Sequence, residues 1–351
     1  MKVQILFLIS GTRLLICPAL LIRANYIFIF SIQYLLLNSK TSNTFASMRI
    51  IFMGTPEFAV ASLDALVQNG YNVVAVVTAP DKPAGRGLQL QQSEVKQYAL
   101  SRNIPVLQPE KLKNPDFIEE LRSYKADLQV VVAFRMLPEI VWDMPPLGTI
   151  NVHASLLPQY RGAAPINWAV INGESVSGVT TFKLQHAIDT GNILFTVEVP
   201  IREDETAGEL YAELMTAGAG VLLKTVAALK EGNAPELVQN NIPESELKHA
   251  PKIFKEDCKI KWEDTVDNIY NLIRGLSPYP TAFTLLNDKT LKIFKAEKEH
   301  TKHAHALGSV HTDQKTFLKF AADGGYISLV ELQLEGKKKM GVVEFLRGYR
   351  F

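Results

Sequence analysis

Cysteine is scarce in this chain. Cys17 and Cys258 are the only two in 351 residues, too few and too far apart for a disulfide framework or a cysteine zinc site. The scarcity excludes small secreted proteins that depend on disulfides and favours a reducing compartment, so we predict a cytoplasmic protein.

A G-x-G-x-x-G fingerprint is also missing, since "MGTPEF" after the first apolar run holds a single glycine. A dinucleotide cofactor is therefore not expected.

Acidic residues are missing from the first part of the chain. Residues 1–47 hold four Lys/Arg and no Asp/Glu, and their longest uncharged run, Ala24 to Ser39, falls short of the roughly 20 residues that a spanning helix needs. "NTFAS" offers a signal-peptide cleavage site near Ala46, whereas "MRIIFMGTP" opens a strand and a turn directly from Met48. We predict that residues 1–47 are a non-native or dispensable extension, with a signal peptide or anchor as the alternative.

Apolar runs alternate with a helical pattern after Met48. "RIIFMG", "NVVAVVT", "LQVVVAF" and "GTINVHA" are continuous rather than alternating apolar segments, which is typical of strands covered on both faces. "GVTTFKLQHAIDTGNILFTVEVPI" predicts two further strands around a polar turn, and a helix is expected from Thr206 to Glu231. We therefore predict an α/β fold with a mostly parallel, doubly wound sheet over residues 48–238.

The last third of the chain has a different composition. Residues 239–256 are polar and proline-bearing and are predicted to be a linker. Residues 257–351 hold one helical pattern and several short strands separated by turns, which predicts a small β-barrel or sandwich. The net charge is −7 over residues 48–251 and +4 over residues 252–351. This basic surplus favours an anionic partner such as RNA, and Lys337, Lys338 and Lys339 form a charge run that is either solvated or part of that contact.

Two polar residues interrupt the end of a predicted buried strand. Asn151 and His153 are two positions apart, so their side chains project from one face near the carboxyl end of the strand. An amide and an imidazole there suit a developing oxyanion in acyl transfer, although a pair of hydrogen-bonded core residues remains the alternative. Asp189 follows another strand, and a carboxylate near His153 would favour the charged ring. A single Asp-Thr-Gly turn excludes an aspartic protease, which needs two carboxylates.

These segments resemble a known family. "NVHASLLPQYRGAAPINWAV" with "GVTTFKLQHAIDTGNIL" is similar to the signature of the 10-formyltetrahydrofolate-dependent formyltransferases. "FMGTPEFAVASLDAL", "APDKPAGRGLQL" and "IRGLSPYPTAF" resemble the members that formylate methionyl-initiator tRNA, and the likeness runs from Met48 to the end. The resemblance implies a formyltransferase-like Rossmann-type domain, a C-terminal OB-like barrel that binds tRNA, and 10-formyltetrahydrofolate as the formyl donor, without a metal.

The resemblance also implies residue roles. Asn151 and His153 would donate to the oxyanion, and Asp189 would support His153 and help to move the proton. The contact with tetrahydrofolate would be the turn formed by Ser155, Leu156, Leu157 and Pro158. The loop with Arg86 would face the acceptor stem of the tRNA. This loop departs from many family members, because Leu88, Gln89 and Leu90 stand where lysines are common, and Gln159 also replaces a frequent basic residue.

Three alternatives to this function remain at the level of sequence. A formyltransferase of the same catalytic domain could act on glycinamide ribonucleotide or an amino sugar, or the chain could be an inactive RNA-binding relative. The basic C-terminal region is evidence against glycinamide ribonucleotide as the acceptor, and the presence of Asn151, His153 and Asp189 is evidence against an inactive relative.

His300, His303 and His305 lack a neighbouring cysteine or carboxylate pair, so a metal site is not expected there. We expect a monomer without a membrane anchor.

Overall fold

The computed structural model describes residues 48–84, 89–239 and 242–351. The predicted dispensable extension, residues 1–47, lies outside the described residues and stays a prediction. Residues 48–351 form one compact unit. The first part of this unit contains β1 (Arg49–Gly54), α1 (Glu57–Gln68), β2 (Asn72–Val77), β3 (Lys82–Ala84), β4 (Gln89–Gln91), α2 (Glu94–Ser101), β5 (Val106–Leu107), α3 (Pro115–Ser123), β6 (Leu128–Val132), α4 (Glu139–Trp142), β7 (Thr149–His153), β8 (Arg161–Gly162), α5 (Pro165–Ile171), β9 (Val176–Lys183), β10 (Ile193–Pro200) and α6 (Ala207–Glu231).

Seven of these strands form the main sheet, in the order β10-β9-β7-β6-β1-β2-β5. The strands β5, β2, β1, β6 and β7 run parallel, whereas β9 and β10 are antiparallel to their neighbours. Every residue of β6 is buried, as expected for a strand covered on both faces. The predicted mostly parallel sheet is confirmed.

Helices cover both faces of this sheet, and the period of two in each strand divides the core between them. On one face, Ile51, Met53 and Val131 pack with Phe117 and Leu121 of α3. On the other face, α6 lies against β9, β10 and α1. The helix approaches so closely that a Cβ atom on Gly218 would lie 3.4 Å from Cγ1 of Val152. The sheet is therefore doubly wound, as predicted.

The long helix α6 begins where the sequence predicted. Thr206 is its N-cap, and Thr206 with Glu209 forms a capping box. The left-handed Gly232, with φ of 69°, ends it. Its length and mean hydropathy of 1.4 would suit a membrane span, but its buried side chains recur every three or four residues and pack on the sheet. They are Ala207, Leu210, Leu214, Gly218, Val221, Leu222, Thr225, Val226 and Leu229.

The second part of the unit is a curled antiparallel sheet that packs against two helices. Its elements are β11 (His249–Ala250), α7 (Val266–Gly275), β12 (Ala282–Leu286), β13 (Lys289–His300), β14 (Val310–Thr312), β15 (Leu318–Ala322), β16 (Gly325–Leu334), β17 (Met340–Gly341) and α8 (Val342–Gly348). Apart from β11, the strands form a six-stranded sheet in the order β12-β13-β16-β15-β14, with β17 beside β16. Helix α7 packs on β13 and β16. The density of short strands predicted a small β-barrel or sandwich, and the structure shows a curled antiparallel half-barrel sheet.

Buried hydrogen bonds join the first part of the unit to the second. Arg274 of α7 is only 7% exposed, and its guanidinium donates to the carbonyl oxygen of Glu205 at 3.1 Å. The amide of Asn167 donates to the carbonyl of Gly275 at 2.8 Å. These bonds satisfy polar groups that burial would otherwise leave unpaired, so they fix where the second sheet attaches.

Candidate active site

The site is built on β7, the last parallel strand before the sheet turns antiparallel. Asn151 is paired with Val131 of β6 on one side and Phe182 of β9 on the other. Because Val152 faces α6, Asn151 and His153 project from the opposite face of the sheet, as their spacing predicted. His153 is buried, with 7% of its surface exposed, and Asn151 is half-buried. The two side chains lie side by side where β7 ends.

The imidazole of His153 has a defined orientation. Its Nε2 lies 2.9 Å from the carbonyl oxygen of Tyr160. A carbonyl oxygen can only accept a hydrogen bond, so Nε2 carries the proton. The opposite ring nitrogen, Nδ1, lies 4.0 Å from Oδ2 of Asp189. The nitrogen left for a reacting group is therefore Nδ1, beside a carboxylate.

The loop between β9 and β10 carries Asp189 and is anchored by Gly162 and Gln239. Oδ2 of Asp189 accepts the backbone N–H of Gly162 at 3.0 Å. The side-chain amide of Gln239 donates to the carbonyl of Asp189 at 3.1 Å and to that of Gly191 at 2.6 Å. Arg161 in turn donates to Oε1 of Gln239 at 2.9 Å. These contacts hold the carboxylate near His153, at a distance too long for a direct hydrogen bond.

The side-chain amide of Asn151 is free to form hydrogen bonds with a ligand. Within the described ranges its amide makes no hydrogen bond, unlike the neighbouring His153 and Asp189. A half-buried amide without a protein partner is available to a ligand, and it offers two N–H donors. The structure thus brings Asn151, His153 and Asp189 together; their chemical roles remain a proposal.

The turn Ser155 to Pro158 is held by hydrogen bonds to the residue that follows it and to strand β9. The Ser155 hydroxyl donates to the carbonyl of Gln159 at 2.7 Å, and Thr180 accepts the N–H of Leu157 at 3.1 Å. Ser155 and Leu157 are buried, whereas Leu156 and Pro158 are half-buried. Ser155 and Leu157 therefore shape the turn, and Leu156, Pro158 and the backbone are the parts left to contact a ligand.

Exposed apolar side chains on the neighbouring segments were not anticipated from the sequence. Met136 is 73% exposed, Ile140 54% and Ile188 58%. Two of the segments that carry them are in contact, since Nε2 of His186 lies 3.1 Å from Oε1 of Glu139. Large apolar residues outside the predicted strands were the only feature of the sequence that could have indicated this exposed surface. Apolar groups left exposed beside polar ones are typical of a ligand cleft.

The predicted tRNA contacts lie elsewhere in the chain. Arg86 falls outside the described residues; the antiparallel strands β3 and β4 precede and follow its segment. Lys337 to Lys339 lie between β16 and β17, on the second sheet. Lys338 pairs with Glu344 at 3.2 Å and Lys339 with Glu331 at 2.6 Å. Part of the predicted positive charge is thus already compensated.

The histidine-rich segment does not offer a ligand set. Nε2 of His303 donates to the carbonyls of Ala322 and Gly325 at 2.9 and 2.8 Å, and Nδ1 accepts the N–H of His305 at 3.2 Å. Both ring nitrogens of His303 are therefore occupied. Across residues 48–84, 89–239 and 242–351, no group of three or more His, Cys, Asp or Glu side chains is arranged to hold a metal ion.

Comparison with known proteins defines the class. Residues 48–226 match the family model described as formyl transferase, and residues 252–350 match the formyl transferase C-terminal domain. The N-formyltransferase from Helicobacter canadensis superposes with a TM-score of 0.60 at 21% identity, over 84% of this chain and 100% of that chain. HypX from Aquifex aeolicus, solved with tetrahydrofolic acid, gives 0.58 at 19% identity, over 85% and 47%. The fold and the matched domains are those of a formyl-transferring enzyme.

Curated relatives narrow the assignment. The methionyl-tRNA formyltransferase of Bacteroides thetaiotaomicron is 53% identical over 86% of this chain and 96% of its own length. That of Parabacteroides distasonis is 54% identical over the same shares. The chain belongs to the methionyl-tRNA formyltransferase family, which confirms the resemblance seen in its motifs.

Proposed function

We propose that this enzyme transfers the formyl group of 10-formyltetrahydrofolate to the amino group of methionyl-initiator tRNA, giving the formylated tRNA used to start translation. The observation that carries the proposal is the constellation on β7, where Asn151 and His153 share a face and Asp189 lies 4.0 Å from Nδ1 of His153. An amide donor and an imidazole next to a carboxylate suit acyl transfer to an amine. The high identity to relatives named for this reaction supports the choice of acceptor.

The bound donor supplies an activated formyl group. The amino group of the acceptor attacks the formyl carbon, and the amide of Asn151 donates to the formyl oxygen as that oxygen gains negative charge. His153 takes the excess proton of the attacking nitrogen at Nδ1, since Nε2 is held by the carbonyl of Tyr160. Asp189 favours the resulting imidazolium. His153 then returns the proton to the departing folate nitrogen, which restores the neutral ring.

The apolar residues around this face support the folate site. Leu156 and Pro158 are half-buried beside the catalytic strand, and the strongly exposed Met136 and Ile188 lie on bordering segments. A flat heterocycle packed on these side chains would be stabilised by about 25 cal/mol for each Å² of apolar surface removed from water. Backbone groups of the Ser155 to Pro158 turn would add polar contacts. Apolar side chains and backbone polar groups together fit a flat heterocycle of this kind.

The acceptor tRNA is proposed to contact two regions. The Arg86 segment, between β3 and β4, would meet the acceptor stem, so Arg86→Ala should lower both the rate and the discrimination for the initiator. Lys337, Lys338 and Lys339 would contact phosphates and position the tRNA without reading its sequence.

We also propose that the enzyme is cytoplasmic and monomeric. Light scattering with and without tRNA tests the oligomeric state.

A formylation assay tests the proposal. Purified enzyme, methionyl-initiator tRNA and 10-formyltetrahydrofolate should give formylmethionyl-tRNA, whereas glycinamide ribonucleotide or an amino sugar should not be formylated. In His153→Ala, kcat should fall on the order of a hundredfold or more with little change in folate affinity, because the imidazole acts on charge that develops in the transition state. His300→Ala, an exposed histidine of the second sheet, is the matched control. Near-normal turnover in His153→Ala would refute the catalytic role.

A further inference from the structure

One short loop holds both His153 and Asp189. The carbonyl of Tyr160 accepts the proton of His153 Nε2 at 2.9 Å, and two residues later the N–H of Gly162 donates to Oδ2 of Asp189 at 3.0 Å. A displacement of this loop would therefore move the histidine and the carboxylate together. The loop's own position thus decides the geometry of the proposed reacting groups.

The other side of the loop is paired with the segment that joins the two parts of the unit. This linker segment, residues 246–251, contributes β11, which runs parallel to β8. The N–H of Tyr160 donates to the carbonyl of Lys248 at 2.6 Å, and the side chain of Gln159 accepts the N–H of Lys248 at 2.7 Å. The N–H of Ala163 donates to the carbonyl of Ala250 at 2.7 Å. The linker segment therefore lies behind the loop along its length.

Side chains reinforce this pairing. The Tyr160 hydroxyl donates to Oε1 of Glu174 at 2.5 Å, the amide of Asn172 donates to the same hydroxyl at 3.1 Å, and the ammonium of Lys248 pairs with the same carboxylate. Burial alone would raise the pKa of Glu174, but the hydrogen bonds from Lys248 and Tyr160 outweigh it and leave the pKa below its ordinary value. The carboxylate is thus a fixed anion between the linker segment and the loop.

Tyr160 needs this support because of its backbone. Its φ is 60°, in the left-handed region that residues with a side chain rarely adopt. A conformation of this kind persists only where surrounding contacts hold it. Tyr160 is 6% exposed, and its N–H, hydroxyl and carbonyl are each hydrogen-bonded to a different partner. Loss of one partner would let the carbonyl leave His153.

We propose that Lys248 and Glu174 are positioning residues for formyl transfer, acting through Tyr160 to orient the His153 ring. The linker segment is then a support for the catalytic histidine as well as a connection between domains. Neither residue touches the reacting atoms. The kinetic part of this inference rests on the proposed function; the orientation of the ring does not.

Lys248→Met is the main test, since Lys248 is half exposed and its replacement leaves the core intact. We expect kcat to fall about tenfold while KM for both substrates stays within about twofold, as for a loss of preorganisation rather than of binding. Tyr160→Phe should behave similarly, and Lys248→Arg should recover most of the rate. Glu213→Gln, which removes a carboxylate from another ion pair of the same domain, is the control and should keep full activity.

A second measurement does not depend on turnover. With ¹⁵N-labelled histidine, the buried Nε2–H of His153 should give a slowly exchanging ring signal, assigned by its absence in His153→Ala. In Lys248→Met this signal should exchange faster or disappear, and in Lys248→Arg it should persist. If the signal and kcat are both unchanged in Lys248→Met, or if only KM for the tRNA rises, the positioning role is wrong. An enzyme that retains the signal but does not formylate methionyl-tRNA would instead refute the proposed function.

Discussion

Gly162→Ala perturbs the candidate site without replacing any of the side chains proposed to react. Gly162 has a φ of 126°, and a Cβ atom built there would lie 2.4 Å from the carbonyl oxygen of Ala250. Real Cβ atoms essentially never approach closer than 3.0 Å, so the loop and the linker segment must separate by at least 0.6 Å. Because the neighbouring atom is backbone, no side chain can rotate away to relieve the contact.

The magnitude follows from these two effects. A residue forced into a sparsely populated backbone region costs about 1–3 kcal/mol, and the contact with Ala250 adds to it, so the free energy of unfolding should fall by about 2–4 kcal/mol. The N–H of Gly162 holds Asp189, so the carboxylate moves with the loop. A misplacement approaching 1 Å in a catalytic site lowers kcat on the order of tenfold to a hundredfold.

Gly70→Ala is the matched control. Gly70 also has a positive φ, 74°, but no atom lies within 4 Å of its added Cβ, so this variant should lose only about 1–2 kcal/mol and no activity. Unfolding in urea gives the stability of each protein, and formylation at a temperature where both are folded gives kcat. Equal stability and equal kcat in the two variants would refute the argument that the loop is packed against the linker segment.

Three further predictions concern other parts of the chain. The Thr316 hydroxyl and backbone N–H groups hold the pKa of Asp313 well below its usual range. Its stabilising contribution is therefore present above the unfolded pKa of about 3.9 and is lost as the pH falls further. In thermal melts from pH 6 to pH 2, the melting temperature of Asp313→Asn should fall less than that of the original protein, and identical profiles would contradict this. Thr206→Ala removes the capping box of α6 and should lower the free energy of unfolding by about 1 kcal/mol; an unchanged urea midpoint would contradict it. Lys337→Ala, with Lys338 and Lys339 already paired to carboxylates, should reduce the slope of log tRNA affinity against log salt by about 1, and an unchanged slope would exclude a phosphate contact there.

Local sequence patterns determined the fold and much of the site. The continuous apolar runs of β1, β2, β6 and β7 predicted a covered parallel sheet. A strand covered on both faces buries every side chain, which leaves a continuous apolar run in its sequence. The spacing of Asn151 and His153 placed them on one face for the same local reason. Helix α6 was bounded correctly because Thr206 and Gly232 act on their immediate neighbours.

The tertiary structure decided how the reacting groups are held. Nothing local to His153 indicates that the carbonyl of Tyr160 accepts its Nε2 proton, and nothing near Asp189 indicates that Gly162 and Gln239 anchor it. The predicted linker gave no sign that residues 249 and 250 would pair with β8. These contacts join residues far apart in the chain, often through backbone atoms that every residue possesses. A backbone hydrogen bond leaves no pattern in the sequence, so only the folded arrangement of the chain determines it.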